Sequence, residues 1–476
     1  MTTELRVLSM ADCELVHERS LHVLSRTGIR VDTAVGRSVL REAGAAVDED
    51  GRRVRFPADL VQRSLSLAPS RFTLGGRRPG WSHALGAGAI TLVADGGGNA
   101  VLDRRTGQRR AAAFDDWREA TRVCDALDDI GVYWWMVESG LQTGTPAGMV
   151  AYLTHVFGEF GKHVQDSFDT PETAPWLLRA LEIVFGGADA VRRRHPISFL
   201  LTPASPLIID ERYTETWLAL RGYDIPVAVM PMPLMGATAP AGRLATLLQA
   251  NCEVLGALCL VQAAAPGTPF ISAAAPALMD PRSGRYAGGA IEQYVLSAAA
   301  VEMARFYGLP VEASGCGTDA FEPSPQAAYE KGMSVLLATL ARPDLLVGPG
   351  MLGGATVLSF EQLVMDVEMA RMARAVGEGL VAAGDRLLEE VIDAVGPGGS
   401  FLAEPSTRRA RGGDEWPPCR FGAHQSHAAW RQAGAPSTVE QARAEVERLL
   451  GAHRPEPLPD DVAAALRSLL ADARRS

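Results

Sequence analysis

Eight short apolar runs decide the fold of this chain, beginning with ITLVADG (90–96) and ending with DLLVGPG (344–350). Between these two lie VYWWMVESG (132–140), KHVQDSF (162–168), PISFLLT (196–202), PVAVMPMP (226–233), PFISAAAP (269–276) and LPVEASG (309–315). A helix-compatible stretch separates each run from the next. Parallel strands need crossovers of about that length, and eight such units close most naturally into a (β/α)8 TIM barrel. The expected fold class is therefore α/β, with the chemistry in the loops that follow the strand C-termini.

Patterns on either side of the barrel predict two further parts. In residues 1–80, a helical pattern from Glu14 to Arg26 and the turn signal Asp50-Gly51 indicate a small α/β extension. The barrel domain is expected to occupy residues 81–397. In residues 398–476, two amphipathic helices are predicted by apolar residues at i, i+3 and i+4 in STVEQARAEVERLLGAH (437–453) and PDDVAAALRSLLADARR (459–475).

Composition and charge exclude several classes of protein. The formal net charge is −10, which argues against a nucleic-acid partner, since phosphate binding needs clustered Lys and Arg. The N-terminus has early acidic residues and no apolar core of a secretory signal. The most apolar stretch, 254–275, is interrupted by Gln262 and two prolines, and we interpret it as a buried helix followed by a strand. We therefore expect a cytoplasmic protein without a membrane span.

The cysteines and histidines do not predict a disulfide framework or a metal site. The six cysteines are scattered along the chain without paired spacing. Cys419, His424 and His427 lie close together but fit no zinc spacing and lack a fourth ligand nearby. We expect no metal in this polypeptide.

Several longer segments together resemble one known family, the trimethylamine methyltransferase superfamily. They are HERSLHVLSRTGIRV (17–31), GATAP (236–240), PGTPF (266–270), ARFYGLP (304–310), TDAFEPSPQAAYEKG (318–332) and SFEQLVMDVEMARMARAVGEGL (359–380). Members of this superfamily pass a methyl group from a methylamine to a corrinoid protein. The resemblance implies a TIM barrel with no permanently bound cofactor, a corrinoid (cobalamin) supplied by a partner protein, and, by analogy, a homo-oligomer.

The resemblance also narrows the expected substrate. The archaeal trimethylamine enzymes of the superfamily carry pyrrolysine, whereas this chain consists of standard residues only. It is thus similar to the members that act on glycine betaine and related quaternary amines. A quaternary ammonium loses a methyl group as a neutral tertiary amine, so neither a proton donor nor a covalent adduct is needed. Catalysis would then consist of positioning and exclusion of water.

Aromatic and acidic residues near two strand ends are candidates for holding such a cation. Aromatic faces bind ammonium groups, and Trp134 and Trp135 follow each other in the second run, so alternation sends one inward and one outward. Glu138 lies four residues after Trp134, so in an extended strand both side chains would point to the same face. Asp166 and Phe168 lie at the end of the third run. We predict Glu138 and Asp166 as catalytic and Phe168 as substrate-binding. The alternatives are a Trp packed between sheet and helices, and carboxylates that cap loops or pair with Arg.

Further candidates follow the later strands. Asp319 is predicted as catalytic, and Met232, Ser314 and Thr318 are predicted as substrate-binding. Four glycines are predicted to form an open rim that the corrinoid can approach: Gly315, Gly317, Gly348 and Gly350. Core packing of the methionines and plain strand-to-helix turns at the glycines are the alternatives.

Three functional hypotheses remain open at this stage. The first is methyl transfer from a quaternary or methylated amine to the Co(I) of a corrinoid protein, with Arg243, Arg282 or Arg285 binding a substrate carboxylate. The second is a TIM-barrel lyase or hydrolase, which would need a tuned general base or a nucleophile such as Lys162 or Lys331. The third is a betaine-binding protein without turnover.

Overall fold

The eight predicted strands form one closed parallel sheet in the computed structural model, which describes residues 3–380, 383–411, 413, 416 and 420–476. Cys419 lies outside these residues. The strands are β1 Thr91–Ala94, β2 Ile130–Tyr133, β3 His163–Asp166, β4 Ile197–Leu201, β5 Val227–Val229, β6 Phe270–Ser272, β7 Glu312–Ser314 and β8 Leu345–Val347. Strand β1 pairs with both β2 and β8, and a bridge from Ser272 to Val311 joins β6 to β7. The predicted (β/α)8 barrel is confirmed.

A main helix follows each strand, and these eight helices form the outer ring. The helices are α1 Phe114–Ala126, α2 Pro146–Glu159, α3 Ala174–Phe185, α4 Glu211–Leu220, α5 Arg243–Ala264, α6 Ile291–Phe306, α7 Pro325–Ala341 and α8 Phe360–Glu378. Side-chain caps fix some of their N-termini: the Ser324 hydroxyl accepts the Ala327 N–H, and the Ser359 hydroxyl accepts the Gln362 N–H.

The N-terminal residues cover one side of the barrel. They form the helices Met10–Arg26, Ala34–Glu42 and Ala58–Leu67 and the strands Ile29–Val31, Ala46–Asp48 and Arg53–Arg55. All three helices pack on α5. Helix α5 is long and apolar enough to cross a membrane, but 78% of its most apolar window is buried inside the protein. Its apolar character is thus explained by burial between the barrel and the N-terminal helices.

A hairpin closes the N-terminal end of the barrel. It consists of Phe72–Gly75 and Ser82–Leu85, which pair antiparallel. Leu74 and Leu85 are fully buried against the inward-facing apolar side chains of the strands. This seal leaves the C-terminal end of the barrel, opposite the hairpin, for a site.

Short strands in the loops extend the C-terminal end. Leu234–Met235 pairs with Ala277–Leu278, and a four-stranded sheet joins Met351–Leu352, Val357–Leu358, Ala100–Leu102 and Arg109–Ala111. The loop after β4 contributes Ile208–Ile209 to the N-terminal sheet, and Ala188–Arg194 forms a further short helix before β4. The loops after β1, β5, β6 and β8 are thereby held in fixed positions around the mouth.

The C-terminal residues pack back onto the ring as predicted. Thr438–Ala452 lies on α1 and α8, and Asp460–Ala473 lies on α2 and α3. Before them come the short helices Glu389–Val395, Pro405–Ala410 and His427–Gln432, in which no residue is buried. The division at residues 80 and 397 remains a proposal; the hairpin spans the first limit, and α8 ends before the second.

Candidate active site

A cavity of about 280 Å³ opens at the C-terminal end of the barrel. We call it the mouth cavity. Its lining includes the aromatic side chains Trp134, Tyr286 and Tyr294, the methionines Met230, Met232 and Met351, the polar residues Asp95, Gln293, Ser314 and Thr318, and the glycines Gly96, Gly288, Gly315, Gly317, Gly348 and Gly354. Ligand pockets commonly measure about 300–1,000 Å³, so the mouth cavity suits a small ligand.

The mouth cavity brings together seven of the predicted site residues. Trp134 comes from the loop after β2, Met232 from the loop after β5, and the others from β7 and the loops after β7 and β8. The seven are Trp134, Met232, Ser314, Gly315, Gly317, Thr318 and Gly348.

Four other predicted residues lie in a separate cavity of about 370 Å³, which we call the side cavity. Trp135, Glu138, Asp166 and Phe168 line it together with Tyr152 and Tyr213. The parity assigned to Glu138 was wrong: β2 ends at Tyr133, and the alternation of side chains does not continue through the loop beyond. Trp134 and Trp135 do point apart, one to each cavity.

Asp166 is fully engaged within the side cavity wall. Its carboxylate accepts hydrogen bonds from the Tyr152 hydroxyl, the Ser167 N–H and the Trp135 indole. Burial raises the pKa of Asp166 to about 7, and these donors oppose the rise. The contacts are those of a residue that orders the loops after β2 and β3.

Asp319 and Gly350, also predicted as site residues, form hydrogen bonds that position the loops around the mouth cavity. The Asp319 carboxylate accepts the N–H groups of Gly288 and Gly289 at 2.8 and 3.0 Å. The Gly350 N–H donates to Asp366 at 2.7 Å. Neither residue lines the mouth cavity, and we assign both to positioning.

The glycine rim is required by close backbone approach. Gly348 has φ +133°, and a Cβ there would lie 1.8 Å from the Gly315 carbonyl oxygen. A Cβ on Gly317 would lie 1.6 Å from the Tyr294 hydroxyl. Because these contacts leave no room for a side chain, the glycines pack the loops after β7 and β8 against each other and against Tyr294.

A buried ion pair supports the same rim. The Lys331 ammonium donates to the Cys316 carbonyl at 2.5 Å and to Asp366 at 2.8 Å, and both charged side chains are fully buried. Asp366 also accepts from Gln362 at 2.8 Å. Burial raises the pKa of Asp366, and the Lys331 ammonium opposes the rise. The pair fixes Cys316, which has a left-handed φ of +51°, at the edge of the mouth cavity.

Sequence reasoning missed the carboxylates of the site. Asp95 directly follows β1 and lines the mouth cavity; it occupies the same strand-end position that drew attention to Asp166. Glu312 starts β7 on the inward face shared with Ser314, one layer below the mouth cavity. A charged residue inside the apolar run LPVEASG was the available signal for Glu312. Tyr286, Gln293 and Tyr294 had no comparable signal, since they come from a long loop and the first turn of α6.

Below the mouth cavity, Gln165 and Glu312 form a polar pair inside the barrel. The Gln165 amide nitrogen donates to Glu312 at 2.8 Å, while the amide oxygen of Gln165 and the other carboxylate oxygen of Glu312 are buried without a partner. Burial and, to a smaller extent, the nearby Asp95 charge raise the pKa of Glu312 to about 7, and the hydrogen bond from Gln165 opposes the rise. Burial likewise raises the pKa of Asp95 to about 6. A cation placed above these two carboxyl groups would stabilise the ionised form of each.

The mouth cavity carries no positive side chain of its own. No Lys, Arg or His is among the residues that line it in the described part of the chain. Aromatic rings, polarisable sulfur and the Asp95 carboxylate on an enclosed surface together favour an organic cation over an anion or a neutral solute.

The affinity for a permanent cation is expected to rise with pH. Protonation of Asp95 and Glu312 competes with cation binding, so affinity should increase between about pH 5 and 8 and level off above it. Calorimetric titration with tetramethylammonium, whose charge does not depend on pH, measures this directly. Affinity that is constant from pH 5 to 8 would show that neither carboxylate faces the ligand.

Comparison with known proteins places the chain in a family. The family model of trimethylamine methyltransferase (MTTB) matches residues 1–476. The trimethylamine methyltransferase MttB of Desulfitobacterium hafniense is 30% identical over 456 residues, covering 96% of this chain and 91% of that protein. A glycine betaine methyltransferase of D. hafniense strain Y51 is 27% identical over 472 residues, covering 98% and 96%.

A solved structure supports the fold independently. The monomethylamine methyltransferase MtmB of Methanosarcina barkeri superposes with a TM-score of 0.50 at 12% identity, covering 92% of each chain. The barrel fold agrees with the family match over the full sequence. The chain belongs to the trimethylamine methyltransferase family and is a methyltransferase.

Proposed function

We propose that this protein transfers a methyl group from a quaternary amine bound in the mouth cavity to the Co(I) of a separate corrinoid protein. The observation that carries the proposal is the lining of the cavity: aromatic rings and the Asp95 carboxylate, with no cationic side chain among the described residues. Related proteins named as acting on trimethylamine and on glycine betaine are consistent with a methylated amine as the substrate.

The role of the chain in this reaction is to hold and orient the cation. Trp134, Tyr286 and Tyr294 contact the ammonium methyl groups, and Asp95 and Glu312 balance the charge from below. Because a quaternary ammonium leaves as a neutral amine, no side chain has to supply a proton. The sealed lower end of the barrel and the small cavity keep water away from the reacting carbon.

The dimensions of the cavity restrict how the methyl acceptor approaches. A volume of about 280 Å³ is too small to enclose a corrin ring, so the corrinoid must remain on its own protein and reach the rim. When bound there, the Co(I) corrinoid supplies the nucleophile. Gly315, Gly317 and Gly348 shape that rim by allowing the loops after β7 and β8 to pack closely.

The two lysines considered as nucleophiles of a lyase, Lys162 and Lys331, both form contacts away from the mouth cavity. The Lys162 ammonium donates to the carbonyls of Leu127 and Ile130 at 2.7 and 2.5 Å, at the opposite end of β3 from the mouth. Lys331 is paired with Asp366 behind Cys316. Neither lysine lines the mouth cavity.

Paired tryptophan variants test the proposal and separate it from binding without turnover. The full-length protein is mixed with a Co(I) corrinoid protein and candidate amines, and both the loss of Co(I) absorbance and the demethylated amine are measured. Trp134→Leu is expected to lower the affinity for the amine about 10-fold, as one desolvated aromatic face contributes about 1–2 kcal/mol. Trp135→Leu, the matched control in the side cavity, should leave it unchanged. Amine binding without any demethylated product would instead support the binding protein.

A further inference from the structure

We propose that the substrate of the mouth cavity carries a neutral hydroxyalkyl group beside its methylated ammonium, as choline does, and not a carboxylate. The inference rests on the proposed function, since it concerns the same cavity. It departs from the expectation of a betaine, and it names Gln293 and Tyr286 as the residues that select the substituent.

The charge of the cavity argues against a carboxylate. A betaine would place its carboxylate within a small space that already contains Asp95, above Glu312. The three arginines considered for that carboxylate are elsewhere: Arg243, Arg282 and Arg285 do not line the mouth cavity. The side chain of Arg282 is 92% exposed and pairs with Asp280. A desolvated carboxylate without a cationic partner is strongly disfavoured.

Gln293 and Tyr286 offer the groups that a hydroxyl needs. The Gln293 amide donates to the Tyr286 hydroxyl at 2.8 Å, and both residues line the mouth cavity. The other amide atom, Oε1, is buried without a partner in a residue that is only 3% exposed. The pair therefore leaves one acceptor, Gln293 Oε1, and two donors, the Tyr286 hydroxyl proton and the second amide hydrogen of Gln293, for a ligand.

This pairing does not depend on which way the amide is turned. If the nitrogen and oxygen of Gln293 exchange places, the amide presents a donor and the Tyr286 oxygen presents an acceptor. In both arrangements at least one donor and one acceptor remain. A hydroxyl group donates and accepts, so it satisfies both, whereas a carboxylate can only accept and leaves one buried polar atom unpaired.

Calorimetric binding of three cations to the full-length protein tests the inference. Choline, glycine betaine and tetramethylammonium share the methylated nitrogen and differ in the substituent. We expect choline to bind about 10-fold more tightly than tetramethylammonium, as one buried hydrogen bond is gained, and at least about 100-fold more tightly than glycine betaine. Equal or tighter binding of glycine betaine would overturn the inference.

Variants identify the residues responsible. Gln293→Leu should reduce choline affinity about 10-fold and leave tetramethylammonium within about 2-fold, which a merely structural role would not do. Gln425→Leu, at an exposed position, is the matched control. Loss of all three cations together in Gln293→Leu would contradict a role in selecting the hydroxyl.

The same amines in the Co(I) assay separate this inference from the proposed function. Choline binding as expected without demethylation of any amine would overturn the methyl transfer and leave the binding preference standing. Demethylation of glycine betaine in preference to choline would support the methyl transfer and overturn the inference. No binding of any of the three would overturn both.

Discussion

Asp95→Asn is expected to reduce the affinity for tetramethylammonium by at least about 30-fold, which is the largest binding effect we predict for a single substitution. Asp95 is the carboxylate that lines the mouth cavity directly. Removing one partner of a desolvated charge pair costs about 2–5 kcal/mol, and about 1.4 kcal/mol corresponds to a factor of ten. Calorimetric titration at pH 8, where the carboxylate is ionised, measures the loss.

The Asp95→Asn substitution is not expected to unfold the protein, so a lower affinity would reflect the binding site itself. The pKa of Asp95 is raised by burial to about 6, so the ionised group opposes folding above that pH. Replacement by the neutral amide should leave the protein at pH 8 as stable as before or more stable. Asp189→Asn, at a side chain that is 80% exposed, is the control. An unchanged affinity in Asp95→Asn, with the fold intact, would remove this residue from the site.

Lys331→Met is expected to destabilise the fold by about 3–5 kcal/mol, the largest stability effect we predict. The substitution leaves Asp366 without its ammonium partner in a fully buried position, and an uncompensated buried charge is costly. It also releases the Cys316 carbonyl from its hydrogen bond at the rim of the cavity. Urea denaturation followed by circular dichroism measures the change in unfolding free energy.

The double variant Lys331→Met/Asp366→Leu distinguishes the cost of an unpaired charge from the cost of lost hydrogen bonds. With both charges removed, we expect most of the lost stability to return, because hydrophobic replacement of a buried ion pair is often neutral. Some loss should remain, since the Gly350 N–H and the Gln362 amide also donate to Asp366. A double variant no more stable than Lys331→Met would show that the hydrogen bonds of Lys331 and Asp366, and not the uncompensated charge, account for the lost stability.

The barrel could be predicted from sequence because its determinants are local. Each apolar run and the helix after it recur at a spacing that parallel strands require. Seven of the eight runs contain a whole observed strand, and VYWWMVESG contains the last two residues of β2. The C-terminal helices were equally accessible, since their apolar periodicity shows which face meets the barrel. The runs overestimated strand length, because VYWWMVESG leaves the sheet after Tyr133.

The site was harder to predict because its residues meet only in the folded barrel. Trp134, Ser314 and Thr318 were predicted from strand ends, where a general rule applies, and they line the mouth cavity. The same rule selected Glu138 and Asp166, which line the side cavity, since it does not say whether a loop turns its side chains inward or toward the helices. Tyr286 and Gln293 reach the cavity from a long loop and from α6, and only tertiary structure brings them to Asp95.

The crystal structure of the protein with bound tetramethylammonium is the most direct test of how the barrel holds its substrate. The proposed function predicts the cation in the mouth cavity, with its methyl groups against Trp134 and Tyr286 and its charge near Asp95. Density for the cation in the side cavity beside Trp135 and Phe168, with only water in the mouth, would contradict it.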